Sequence, residues 1–72
     1  MKIKSGAVVQ VISNKSDLCG QFFIVEKQTD DLSTTFCYGI KNNVVISKHI
    51  LPTEYLDVIG DSGLVIPSRY NP

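Results

Sequence analysis

The chain has no tryptophan, one histidine and two cysteines, and its seven basic and seven acidic side chains cancel to a formal net charge of zero. Each shortage narrows the chemistry. Any general base or nucleophile–base pair must pass through His49, because no other imidazole is present. Cys19, Cys37 and His49 make a poor zinc set, since a fourth ligand is missing and no Cys-x-x-Cys spacing supplies two ligands from one turn. Asp30-Asp31 lacks the regular oxygen-ligand spacing of a calcium loop. Gly60-Asp61-Ser62-Gly63 lacks the lysine and the following helix that cradle a phosphate. No enzyme, metal or cofactor is expected.

Long apolar runs are missing too. Nothing approaches the ~20 residues needed to span a bilayer. Met1-Lys2-Ile3-Lys4 leads into a strand pattern and not into the apolar region of a signal peptide. The expectation is a cytoplasmic protein, off the membrane, with Cys19 and Cys37 reduced.

What is present is a globular composition, 43% apolar and 19% charged in 72 residues. This is one domain near the lower size limit for folding unaided, so nearly every large apolar residue must reach the core. Charge alternates in blocks. Lys2, Lys4 and Lys15 make residues 1–16 basic, and Asp17, Glu26, Asp30 and Asp31 outweigh Lys27 over 17–31. Lys41 and Lys48 make 32–50 basic, and Glu54, Asp57 and Asp61 outweigh Arg69 over 51–72. A strong basic excess, the usual footprint of phosphate binding, is absent.

Val8, Val9, Val11 and Ile12 predict a first strand over about 7–13, with Val9 and Val11 on one face and Val8 and Ile12 on the other. Residues 13–19 carry short polar side chains that bond their own backbone and favour a loop. A second strand over about 20–28 holds Phe22-Phe23-Ile24-Val25, apolar on both faces, with Gly20 as a bulge or close-approach position at its head. The third strand spans about 34–40, and Lys41-Asn42-Asn43 forms a tight hairpin because asparagine tolerates positive φ. Val44 to Ser47 is a fourth strand, His49 to Pro52 a single helical turn closed by proline, and Tyr55 to Ile59 a fifth strand. Leu64-Val65-Ile66 adds a sixth strand at an edge, before the polar tail Ser68 to Pro72. The fold class is all-β: five to six short antiparallel strands with one helical turn before the fifth. Residues 1–63 form the domain and 64–72 an edge strand and tail.

The segment Lys4-Ser5-Gly6-Ala7-Val8-Val9-Gln10-Val11 resembles the K-x-G-x-x-V-x-V opening of SH3-like barrels of the KOW and translation-protein kind, in which a loop and then G-x-x-x-x-V follow, as Gly20 and Val25 do here. The resemblance covers about residues 2–59 and implies a small SH3-like barrel. The chain departs from the nucleic-acid-binding members, whose first loop is basic and contains glycine; loop 13–19 has neither feature. Lacking tryptophan, it also lacks the centre of the groove with which peptide-binding SH3 domains grip polyproline.

Surface recognition is the function class left. We expect a non-catalytic protein-binding module, an adaptor, accessory subunit or inhibitor docking on a larger protein, with pairing of two copies through a sheet edge as a related use. The alternative is a KOW-like nucleic-acid binder using a basic face of Lys2, Lys4, Lys15 and Lys41 with Tyr38. The candidate binding surface is Lys15, Tyr38, Lys41, Leu64, Val65, Ile66, Arg69 and Tyr70, with Tyr38 and Tyr70 as exposed aromatics. Exposed tyrosine and basic side chains suit protein interfaces and base stacking alike.

Overall fold

The β-branched and aromatic runs become strands wherever turn residues can reverse the chain between them. In the computed structural model, which describes residues 1–63, the elements are β1 (Ala7–Val11), β2 (Phe22–Gln28), β3 (Thr34–Lys41), β4 (Val44–Pro52), a 3-10 turn (Thr53–Tyr55) and β5 (Leu56–Asp61). All pairings are antiparallel, in one sheet of order β4-β3-β2-β1-β5. The expected all-β class, with five antiparallel strands and a helical turn before the fifth, is the class observed. The sixth strand expected at 64–66 and the tail lie outside the described residues.

Alternation in β1 is as the pattern required. Val9 and Val11 are buried, while Val8 is half-buried and Ile12 exposed. The inward residues of all five strands meet in one cluster: Ala7, Val9 and Val11, Phe23 and Val25, Cys37, Leu51, and Leu56, joined by Ile3. A single sheet whose two edge strands feed one core must curl, and three bulges assist, because an extra residue on one strand bends it and increases its twist. The extra residues are Glu26, Ile46 and Ile59, where the register slips against β3, β3 and β1 respectively.

The connections follow side-chain chemistry. Ser13 Oγ accepts from Lys15 N and Ser16 Oγ from Leu18 N, so two short hydroxyl turns build the β1–β2 loop. Gly20 takes φ +91, donates its amide to Val11 O while Val11 N donates to Gln21 O, and so forms with Gln21 the glycine bulge expected at the head of β2; with nothing near an added Cβ it is not a close approach. Asn42 and Asn43, at φ 53 and 62, form the β3–β4 turn, a left-handed pair that matches strand twist.

One expectation fails locally. His49 to Pro52 is strand, not a helical turn, and the turn follows directly after it at Thr53–Tyr55. Proline pushes its predecessor toward extended backbone, which here prolongs β4 through Leu51 and Pro52. β5, expected to end at Ile59, continues through Gly60 and Asp61. A polar seam closes one end of the core: Gln28 receives the Ile3 amide at 2.7 Å and donates to Met1 O, and Thr35 Oγ1 meets Thr53 Oγ1 at 2.8 Å.

Candidate functional site

The bulge at Glu26 sets the outward face of the sheet. Without it, alternation would place Lys27 inward beside Val25; with it, Lys27 stands opposite Phe36 and Gln28 opposite Thr35. One row then crosses four strands on the outward side, Val8–Ile24–Tyr38–Lys48, and Lys27–Phe36–Ile50 runs beside it. The Lys27 ammonium lies 5.3 Å from the Phe36 ring centroid, within reach of the attractive ring face.

The extra residue, Glu26, is a buried carboxylate, 5% exposed. Its Oε1 accepts the Tyr38 hydroxyl at 2.9 Å, and its Oε2 has no hydrogen-bond partner. Glu26 lines a cleft of about 180 Å³ with Phe36, Tyr38, Lys48, His49 and Ile50. A second depression of similar size, lined by Val8, Phe22, Ile24 and Ile40, shares Tyr38 with it.

Cys37 and His49 are direct cross-strand partners, a juxtaposition the sequence did not reveal. The Cys37 thiol is 1% exposed, and burial pushes its pKa from 9.0 up to about 12. It therefore stays protonated at neutral pH, and a thiol is a poor nucleophile. The His49 ring packs on Phe23 with centroids 4.5 Å apart and places Nε2 3.0 Å from Ser47 Oγ. This pair belongs to packing. Cys19 is a free, exposed thiol, and no group of three or more metal-ligating side chains gathers among the described residues.

The candidate surface residues fare differently. Tyr38, expected to be exposed beside the hairpin, is 1% exposed. It lies in an inner strand with Ile24 and Lys48 on either side and its hydroxyl on Glu26, so its role is to hold the cleft wall. Lys15 is exposed in the β1–β2 loop and Lys41 at the end of β3. Lys4 pairs with Asp61, whose carboxyl is held below its ordinary value by that contact and by the Gly63 amide. Leu64, Val65, Ile66, Arg69 and Tyr70 lie outside the described residues. The unforeseen features are Glu26 and the length of β4, on which Val44, Ile46 and Ile50 are exposed. Asp31, for which a cation was considered, instead organises its own loop, accepting from Thr29 Oγ1 and Ser33 Oγ at 2.7 Å each.

No protein-family model, curated protein or solved structure matches this chain. Among the described residues no helix is long and apolar enough to cross a membrane.

Proposed function

We propose that the chain is a non-catalytic protein-binding module that recognises its partner along β4 and the outward face beside it. The observation that carries this reading is the edge strand itself. β4 is nine residues long, ends the strand order, and exposes Val44, Ile46 and Ile50 by 59%, 63% and 66%. Among the described residues no further strand pairs with β4, and an exposed, apolar edge of that length offers backbone groups and side-chain anchors to an added strand. Phe22, 56% exposed on β2, extends the apolar area away from the edge. The likeness to SH3-like barrels of the KOW kind rests on the opening motif and suits a scaffold role. Its nucleic-acid use draws less support, since of the residues that would form its face Lys4 is engaged with Asp61 and Tyr38 is buried.

The test compares the chain with an Ile46→Lys, Ile50→Lys variant. Both sites are exposed, so the variant is expected to fold, as circular dichroism would verify. The wild-type chain immobilised on a matrix should retain one stoichiometric protein from an extract of its own cells, or sediment as a dimer, and the variant should do neither. Equal retention by both forms, or a wild-type monomer that retains nothing, would sink the reading.

A further inference from the structure

Glu26 Oε2 is the one buried side-chain oxygen among the described residues that lacks a hydrogen-bond partner. A buried acceptor left unpaired carries its full desolvation cost, so such atoms in folded proteins call for an explanation. The described chain supplies no donor. Glu26 makes no ion pair with any described residue, and the Tyr38 hydroxyl has its single proton on Oε1. Lys48, which also lines the cleft, has interactions of its own.

The free oxygen belongs to a cleft of about 180 Å³, many times the ~10–15 Å³ that one water needs. Its other walls include the rings of Phe36 and Tyr38 and the side chain of Ile50. A carboxylate among aromatic and aliphatic walls is complementary to a cation on an apolar stem: the charged head bonds the oxygen while the methylenes lie along the rings. Phe36 already has an ammonium, that of Lys27, over its face. One side of the cleft is β4, the edge at which an extended segment would add, and such a segment turns alternate side chains toward the same face.

We propose that the Glu26 cleft receives a lysine or arginine side chain from a partner protein docked along β4, with Glu26 Oε2 accepting from its charged head. This assignment rests on the protein-binding reading above and specifies the partner's chemistry. It is tested on the isotopically labelled full chain with small probes: n-butylguanidinium and n-butylammonium as cations, n-butylurea as the neutral analogue and valerate as the anion, all at one ionic strength. The cations should produce saturating amide shifts at Glu26, Cys37, Tyr38 and His49, with weaker effects from the urea and none from valerate. Glu26→Gln, which keeps an acceptor for Tyr38 but removes the charge, should weaken cation binding by about ten-fold or more. Should that variant not fold, the discrimination between cation and anion by the wild-type chain decides the matter. Shifts that do not saturate, or that valerate and butylurea produce equally, would overturn the proposal. A partner retained equally by wild type and a folded Glu26→Gln variant would overturn it as well. That result leaves the β4 reading standing, whereas loss of the reading itself shows as retention unaffected by Ile46→Lys, Ile50→Lys.

Discussion

Gly39 sits where β3 leaves no room for a side chain against β4. It is buried opposite Ser47, and a Cβ placed on it would run into Ser47 Oγ, with Phe23 and Ile46 both 3.7 Å away. That hydroxyl is also the partner of the His49 ring. Gly39→Ala should therefore destabilise the chain by about 1–3 kcal/mol, the usual range for overpacking a filled site. Urea denaturation of the single variant and of Gly39→Ala combined with Ser47→Ala measures this. The second substitution removes the obstructing oxygen and should restore much of the loss, and a Gly39→Ala chain as stable as wild type would contradict the packing described. Tyr38 teaches the complementary lesson. A tyrosine near a hairpin reads as exposed, but position across the sheet, not distance from the turn, decides its burial: Tyr38 lies in an inner strand with its hydroxyl on the residue that bulges from the neighbouring one.

At the level of the element, the β2–β3 connection is held by one carboxylate. Asp31 Oδ1 accepts from the Ser33 hydroxyl, the Ser33 amide and the Thr29 hydroxyl, while Leu32 takes the left-handed φ of 63. The Ser33 and Thr29 bonds favour the ionised form and lower the Asp31 pKa from 3.8 to about 2. Because the folded value is depressed, the loop's contribution is present above the unfolded value and is lost as pH falls through the folded one. The Asp31 carboxyl carbon and the Ser33 amide should thus titrate together near pH 2 in the folded chain; a midpoint at the ordinary carboxylate value would refute the arrangement. The same scale shows what was legible beforehand. Runs such as Ala7–Val11 and Thr34–Lys41 declare themselves by β-branched alternation, and Asn42-Asn43 by tolerance of positive φ. The stretch after Ser47 did not, because His49 to Pro52 has no alternation strong enough to outweigh a proline that also punctuates helices. The site was hidden for a related reason. A one-residue slip at Glu26 redirects every later residue of β2, and nothing in the order Ile24-Val25-Glu26-Lys27 marks where the slip falls.

For the whole molecule, the exposed edge is both an opportunity and a hazard. β4 carries one lysine, Lys48, among Val44, Val45, Ile46, Ile50 and Leu51, and a lysine is a common means of keeping an edge from pairing indiscriminately. Lys48→Val should make the chain self-associate with rising concentration, seen as growth in light scattering at concentrations where wild type is steady. Equal scattering from both would mean that the edge is protected by something else. The sheet's order carries a consequence for how the molecule comes into being. β1, made first, lies between β2 and β5, and β5 is the last of the described strands to be made. A chain emerging from the ribosome can zip β2, β3 and β4 through short connections, but β1 must wait with one flank open until residues 56–61 are synthesised. Val9 and Val11 then find Val58 and Leu56, so the sheet acquires β5 late, and the interval before that is when the nascent chain is most open to a wrong neighbour.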